Sequence, residues 1–267
     1  MIVISVTSDL GTKDHYVAAI KARALQLIPG HQWVDISHQV PAFDIAKAAF
    51  VLKNVWRDFP KGTIHLNIVD TEWRLDTPYI VVSAEGHFFI GADNGFFSLL
   101  LDGAAADSVH TIKMVGDEDL SFPSRSVFLP TAARLARGES LDSIGLAKEG
   151  YRNRPALQPV IEPHVIRGTV IYIDSYGNVI TNITREVFYR VIGDKHFNIV
   201  GRGRNDNDLT RISRAYSEVP EGEKVALFTT AGYLEIAINR GVEGSGGGAS
   251  SLLGLRENDV VRIEFDP

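Results

Sequence analysis

Short apolar runs and helical patterns alternate through the first half of the chain. Mainly apolar runs at residues 2–6, 33–36 and 64–69 predict buried strands. Residues 79–82 and 87–90 flank Glu85-Gly86 and predict a hairpin. Strands that alternate with helices favour a mostly parallel sheet with helices on its sides.

Three helices are predicted from apolar spacing and from capping residues. The first begins at Asp14, ends before Pro29-Gly30, and carries Val17, Ile20, Ala24 and Leu27 at helical spacing. The second begins at Asp44 and carries Ile45, Ala48, Leu52, Val55 and Trp56. The third covers residues 127–136 with Pro130 in its first turn, where proline is tolerated, and ends at Gly138.

The pattern changes after Pro163. The runs become short and β-like: residues 165–173, 179–183, 197–200, 225–229, 233–238 and 260–265. They predict a small antiparallel barrel or sandwich. We therefore expect an N-terminal α/β domain over residues 1–155, a polar, proline-bearing linker over 156–163, and a C-terminal β-barrel-like domain over 164–267.

Composition narrows the function classes. The chain has 267 residues, a net charge of -6 and no cysteine, which argues against a nucleic-acid partner and excludes disulfides and thiolate chemistry. Its eight histidines show no metal-ligand spacing, so no metal site is expected. No run of about 18 apolar residues predicts a membrane span, and no signal peptide is recognised. A cytoplasmic enzyme acting on a small molecule is the default expectation.

Asp9 is the first candidate binding residue. It follows the strand at residues 2–6, and ligands of open α/β sheets bind at the carboxyl ends of strands. A carboxylate there accepts hydrogen bonds from two ribose hydroxyls. The alternative is an aspartate that only forms a turn.

Asp174, Tyr176 and Asn178 form the second candidate site, at the tip of a predicted hairpin. Asparagine reads adenine at N6 and N7, and tyrosine stacks on the base. A tight Tyr-Gly-Asn turn is the alternative, although it does not explain the acidic residue.

The Gly-rich stretch at 244–250 lacks the ending of a P-loop and is interpreted as a flexible loop whose amides could line a ligand. No Gly-x-Ser-x-Gly elbow is present, which argues against the usual catalytic triad of an α/β-hydrolase.

Several segments together resemble the signatures of the S-adenosylmethionine (SAM) hydroxide adenosyltransferases, which are related to the fluorinase and the chlorinase. They occur in family order at Asp9, Asp14 and residues 34–38, 41–44, 92–95, 174–183 and 232–239. The resemblance implies an α/β domain followed by a β-barrel-like domain, a homotrimer, and SAM bound between the N-domain of one subunit and the C-domain of its neighbour.

The resemblance also implies roles for individual residues. Asp9 matches the ribose-binding aspartate, Phe43 lies beside the ribose, Asp174 matches the ligand of the methionine amine, Tyr176 and Asn178 surround adenine, Thr230 lies near the methionine carboxylate, and Asn239 and Arg240 contact adenine through their backbone.

The reaction centre departs from the family's Asp–Arg–His set. Asp70 occupies the aspartate position, but the family arginine aligns with Thr77, so Arg74 is a displaced substitute. The family His-Gly aligns with Pro123-Ser124, and Ser124 falls where the fluorinase has its halide-contacting serine.

Three hypotheses follow, and hydrolysis of SAM is the first. A sulfonium leaves as a neutral thioether and needs no general acid, whereas attacking water needs a proton acceptor such as Asp70. Loss of the histidine motivates the second, a SAM- or adenosine-binding protein with weak or lost catalysis. A halogenase ranks last, because a carboxylate about 4 Å from a halide repels it by several kcal/mol at an effective dielectric near 20. No cofactor is implied beyond SAM as substrate.

Overall fold

The computed structural model of the protein describes residues 1–201, 209–242 and 247–267. The chain divides after Ala156 into a first unit, Met1–Ala156, and a second unit, Leu157–Pro267. Each unit has its own sheet and its own apolar core.

The first unit, all of whose residues are described, is built on a seven-stranded sheet in the order β2-β1-β3-β5-β4-β6-β7. Its strands are β1 Val3–Ser8, β2 Gln32–Ser37, β3 Ile64–Ile68, β4 Tyr79–Ala84, β5 His87–Ala92, β6 Ser108–Ile112 and β7 Gly145–Ala147. The pairings give five strands one direction and give β4 and β7 the other. The prediction of a mostly parallel sheet is confirmed.

Helices cover both faces of this sheet. They are α1 Tyr16–Leu27, α2 Ile45–Lys53, α3 Phe96–Leu101, α4 Leu129–Ala136 and α5 Leu141–Ile144, with a 3₁₀ turn at Trp56–Asp58 and a π-helical turn at Ser124–Phe128. Apolar residues of α1 and α4 pack with Val81, while those of α2 and α3 pack with Val82. Successive strand residues point to opposite faces, so these are two separate apolar layers.

The helix starts test the capping predictions. Asp44 caps α2, accepting a hydrogen bond from Lys47 N at 3.0 Å, as predicted. Asp14 does not cap α1, because the helix begins at Tyr16 and His15 takes the N-cap position without a side-chain hydrogen bond. The third helix is regular only from Leu129, because Pro130 has no N–H with which to continue α-helical bonding into the preceding turn.

The hairpin between β4 and β5 was predicted from Glu85-Gly86 and is confirmed. Both residues have positive φ, 49° and 79°, and Ala84 pairs with His87 across the turn. This is the backbone that favours a two-residue hairpin and that glycine adopts without strain.

Three polar residues cross the interior of the first unit. Ser5 Oγ lies 2.6 Å from His65 Nδ1, and His65 Nε2 lies 3.2 Å from His87 Nδ1. Burial, and then the neighbouring His87, lowers the pKa of His65 to about 3. His65 is therefore a neutral imidazole at ordinary pH.

The described residues of the second unit form an antiparallel sheet in the order β11-β14-β9-β10-β13-β12, with β8 pairing on β9. The strands are β8 Val160–Glu162, β9 Val165–Ile173, β10 Val179–Thr184, β11 Phe197–Val200, β12 Lys224–Phe228, β13 Tyr233–Ile238 and β14 Val260–Phe265. The helices are α6 Arg185–Ile192 and α7 Ala249–Leu253, with a 3₁₀ turn at Tyr216–Glu218. The sheet curls around a core that includes Phe188 of α6. The antiparallel β-barrel-like prediction is confirmed.

Two segments differ from expectation. The stretch 156–163, expected as a linker, contains β8, because β-branched Val160 and Ile161 pair with Arg167 and Ile166 of β9. In the Gly-rich stretch, residues 244–246 lie outside the described residues, and Ala249 and Ser250 belong to α7.

Candidate functional site

A cleft of about 420 Å³ opens at the carboxyl ends of β1 and β3 in the first unit; we call it the first cleft. It is lined by Asp9, Leu10, Phe43, Ile68, Asp70, Thr71, Glu72 and residues 120–124. Asp9 directly follows β1, and Asp70 lies two residues beyond β3. The first cleft therefore brings together four predicted site residues: Asp9, Phe43, Asp70 and Ser124.

Asp9 organises the rim of the first cleft. Its Oδ2 accepts a hydrogen bond from Phe43 N at 2.9 Å. Phe43 has φ +65° and is 71% exposed. A left-handed backbone is unfavourable for a bulky residue, so the carboxylate of Asp9 helps to hold this ring at the mouth of the cleft.

Asp70 lies on a strained turn. Its φ is +50°, and Asn94 Nδ2 donates to its carbonyl oxygen at 3.0 Å. Strained backbone of this kind clusters at functional sites and is held by its surroundings. The carboxylate is 25% exposed and lies 4.0 Å from the guanidinium of Arg74.

Arg74 is engaged chiefly by another carboxylate. Its Nη2 donates to Glu72 Oε2 at 2.7 Å, and this hydrogen bond, with the charges of Glu72 and Asp70, raises the pKa of Arg74. The side chain is 53% exposed, and Arg74 is not among the residues that line the first cleft. The structure places it beside Asp70 and turned toward Glu72.

Ser124 presents an unpaired hydroxyl. The residue is 1% exposed, and its Oγ has no hydrogen-bond partner among the described residues of the protein. It begins the π-helical turn Ser124–Phe128, and such turns are frequent at functional sites. A buried hydroxyl that lines a cleft without a protein partner is available to a ligand or to water.

A cleft of about 480 Å³ in the second unit, the second cleft, collects the other predicted residues. It is lined by Asp174, Tyr176, Asn178, Tyr216, Ile238, Asn239, Arg240 and Gly241. Thr230 does not line it; it is exposed in the turn between β12 and β13.

Asp174 builds the turn that forms one wall of the second cleft. Its Oδ1 accepts from the backbone N–H groups of Tyr176 and Asn178, both at 2.9 Å. Its Oδ2 accepts from Asn178 Nδ2 at 3.0 Å. An ionised carboxylate has about four acceptor sites, so one remains for a further donor. The turn interpretation and the ligand interpretation of this motif are compatible.

Asn239 and Arg240 form another wall. Asn239 Nδ2 donates to Val219 O at 2.8 Å, which fixes its side chain. Arg240 has φ +58°, and its guanidinium pairs with Glu221 at 2.9 Å. The backbone around these residues, rather than the arginine charge, is therefore what this wall offers a ligand.

Tyr216 and Glu235 were not among the predicted site residues. Tyr216 lines the second cleft, and its Oη donates to Glu235 Oε1 at 2.7 Å. Glu235 is 4% exposed; burial raises its pKa, the Tyr216 hydrogen bond opposes that rise, and the charge of Asp174 adds to it. The charged residue at a buried position of β13 was the available sequence signal, since an acidic side chain is rarely fully buried without a partner.

Two further findings bear on the kind of protein. Among the described residues, no group of three or more His, Cys, Asp or Glu side chains is arranged to hold a metal ion. No helix in the described part of the chain is long and apolar enough to cross a membrane.

The fold and its clefts define a two-unit α/β-plus-β protein with carboxylates at both clefts. Sequence comparison specifies the family. Residues 4–145 match the SAM hydroxide adenosyltransferase N-terminal domain, and residues 168–262 match the SAM hydroxide adenosyltransferase C-terminal domain. The chain belongs to the SAM hydroxide adenosyltransferase family.

Individual relatives agree with this assignment. The chain is 33% identical over 268 residues to an (R)-S-adenosyl-L-methionine hydrolase of Thermus thermophilus, covering 96% of this chain and 97% of that protein. It is 26% identical over 270 residues to a fluorinase of an Actinoplanes species, covering 89% and 91%. A crystal structure of an uncharacterized conserved protein from Thermotoga maritima superposes with a TM-score of 0.85 at 29% identity, covering 98% and 99%.

Proposed function

We propose that the protein hydrolyses SAM to adenosine and methionine by attack of water on C5′ of the ribose. The observation that carries this proposal is the carboxylate of Asp70, which lies on a strained turn in the cleft shared with Asp9. Relatives named as SAM hydrolases, similar over almost the whole chain, support the same reaction.

The proposed chemistry needs one proton acceptor. The sulfonium of SAM departs as a neutral thioether, so the leaving group requires no acid. Water becomes a stronger nucleophile as Asp70 accepts its proton. Ser124, with its free hydroxyl, would help to orient the water, and Arg74, 4.0 Å from Asp70, would assist through that carboxylate. Only SAM and water take part, so we propose no metal or redox cofactor.

The remaining residues are proposed to bind the substrate. In the first cleft, Asp9 binds the ribose hydroxyls and Phe43 lies beside the sugar. In the second cleft, the open acceptor site of Asp174 receives the methionine ammonium, while Tyr176 and Asn178 hold adenine. We further assign Thr230 to the methionine carboxylate and the backbone of Asn239 and Arg240 to adenine.

Incubation with SAM followed by chromatography tests the function. Adenosine and methionine in equal amounts are the expected products. Unchanged SAM retained by the protein would instead favour a binding protein. A 5′-halo-adenosine formed in the presence of halide would favour halogenation, which we disfavour because Asp70 places a negative charge in the cleft.

We also propose that the protein is a cytoplasmic homotrimer in which the first cleft of one subunit and the second cleft of a neighbour hold one SAM molecule. Each cleft alone offers only part of the groups that SAM requires. Light scattering should report about three times the 29.3 kDa of the chain. A monomer that binds adenosine tightly would contradict this assembly.

A further inference from the structure

Behind the first cleft, three side chains form a hydrogen-bonded chain. Ser8 Oγ lies 2.6 Å from His38 Nδ1, and His38 Nε2 lies 2.9 Å from Asp35 Oδ1. Asp35 also accepts from Lys21 and from Trp33, both at 2.5 Å. Partial burial acts to raise the pKa of Asp35, but these donors outweigh it and lower the pKa to about 2. The ionised carboxylate thus favours the His38 tautomer whose Nε2 carries hydrogen, leaving Nδ1 to accept from Ser8.

The order Ser–His–Asp is that of a hydrolytic triad, but burial excludes that role. A nucleophilic serine must expose its oxygen to the reacting carbon. Ser8 is 0% exposed and His38 is 5% exposed, and neither lines the first cleft. The hydrogen-bonded chain therefore acts on the protein itself rather than on a substrate.

The Ser8–His38–Asp35 chain supports the turn that carries Asp9. Neighbouring residues of a strand point to opposite sides, so a buried Ser8 accompanies an Asp9 that faces the cleft. Ser8 Oγ accepts from Leu10 N at 3.4 Å, and Ser8 O accepts from Val40 N at 3.3 Å. His38 O accepts from Gly11 N at 2.8 Å. After Asp9, the N–H groups of Leu10 and Gly11 are thus held by Ser8 and His38. Before Asp9, the carbonyl of Ser8 is held by Val40.

We propose that His38 is a positioning residue for ribose recognition: through Ser8 it fixes the turn that aims the carboxylate of Asp9 at the ribose hydroxyls. This inference rests on the proposed function, because it assumes that Asp9 binds ribose. Recognition depends on placing an acceptor within a few tenths of an ångström, and supporting hydrogen bonds provide that accuracy. The ring of His38 supplies the support without touching the substrate.

Calorimetry with adenosine and 2′-deoxyadenosine tests the inference. Ser8→Ala removes the hydroxyl, His38→Leu removes both ring contacts, and His38→Asn keeps a polar group near the position of Nδ1. Ser8→Ala and His38→Leu should each reduce the preference for adenosine over 2′-deoxyadenosine about tenfold, the effect of one hydrogen bond. Each should also raise KM for SAM by a similar factor, while kcat changes less than about twofold. His38→Asn should retain most of the preference.

Two further variants separate positioning from general destabilisation. Ser8→Ala/His38→Leu should lose no more preference than either single variant, because both act through one contact. His110→Leu is the matched control: His110 is buried in the same unit and pairs with Asp142 at 3.0 Å, but it does not line the cleft. It should lower the melting temperature and keep the preference.

Each failure has its own signature. Folded Ser8→Ala and His38→Leu proteins that keep the full preference for adenosine would overturn the inference. An equal loss of preference in His110→Leu would also overturn it, since the effect would then be unspecific. A wild type that binds both nucleosides equally would contradict the proposed ribose site itself, and this inference with it.

Discussion

The two clefts are built in different ways. The first cleft gathers residues that are far apart in the chain. Asp9 and Asp70 meet because the parallel strands β1 and β3 end at one edge of the sheet, and Ser124, at the start of a π-helical turn, completes the lining. In the second cleft the predicted residues fall in two short segments: Asp174, Tyr176 and Asn178 belong to one hairpin turn, and Asn239 and Arg240 directly follow β13. A site made by topology can place a reactive carboxylate on strained backbone. A site made by a turn presents a fixed set of hydrogen-bonding groups.

We proposed above that the first cleft carries the chemistry and the ribose contacts, and that the second cleft binds the base and the amino acid. Asp70→Asn gives the largest expected effect. Asparagine keeps the size of the side chain but is a very poor proton acceptor, so adenosine release from SAM in single turnovers should fall about 10²–10⁴-fold. Any halide-dependent activity should rise relative to hydrolysis.

Glu72→Gln is the matched control for Asp70→Asn. It removes a carboxylate from the lining of the same cleft, but Glu72 is 73% exposed and bonded to Arg74. Its effect should stay below about tenfold, because screening by water weakens exposed charges. Equal rates in wild type and Asp70→Asn would remove Asp70 from the mechanism.

The interior of the first unit should respond to acid. The folded-state pKa of His65 is about 3 against 6.5 in the unfolded chain. Its contribution to stability is therefore complete above pH 6.5 and is lost as the pH falls toward 3, by a total on the order of 5 kcal/mol. His65→Asn should flatten this part of the pH dependence in urea unfolding. An unchanged slope would show that His65 is not the group responsible.

The two clefts should also read different parts of the nucleoside. Asp9→Ala should abolish the preference for adenosine over 2′-deoxyadenosine, worth about 1.5–3 kcal/mol for charge-assisted bonds. It should leave the preference for adenosine over inosine intact. Asn178→Ala should do the reverse, because Asn178 is proposed to read N6 and N7 of the base. Calorimetry with the three nucleosides measures both, and loss of both preferences in either variant would contradict the division.

The way each cleft is built explains how far the sequence could predict it. Periodicity and turn residues predicted the α/β character of the first unit, the β character of the second, the β4–β5 hairpin and the Asp44 cap. All of these depend on residues that are neighbours in the chain. Asp174, Tyr176 and Asn178 could be grouped from their spacing alone. Asp9, Asp70 and Ser124 were joined only by family resemblance, since no local pattern encodes which strand ends meet.

Contacts between distant side chains escaped prediction altogether. The Ser8–His38–Asp35 chain and the Tyr216–Glu235 pair join residues whose partners depend on strand order and register. The strand β8 escaped prediction for the same reason. It lies in a stretch whose composition is that of a linker, and it forms because β9 offers an edge with which it can pair. Burial of a polar side chain follows from tertiary structure and was visible in the sequence only as a charged residue within an apolar strand.

The smallest expected effect concerns Glu235, and it has the opposite sign to that of His65. Because burial raises the pKa of Glu235 above its unfolded value of 4.5, its contribution to stability is complete below pH 4.5 and is lost as the pH rises through the folded-state pKa. Glu235→Gln still accepts the Tyr216 hydrogen bond but has no charge to bury, so it should be more stable than wild type at neutral pH. Tyr216→Phe should instead lose stability there, because it leaves a buried carboxylate without its donor. Urea unfolding of the wild type and these variants across pH 4–8 measures the differences. If the stability gained by Glu235→Gln over wild type instead grew as the pH fell, Glu235 and His65 would respond to acid in the same sense. That result would contradict the contrast between the two units.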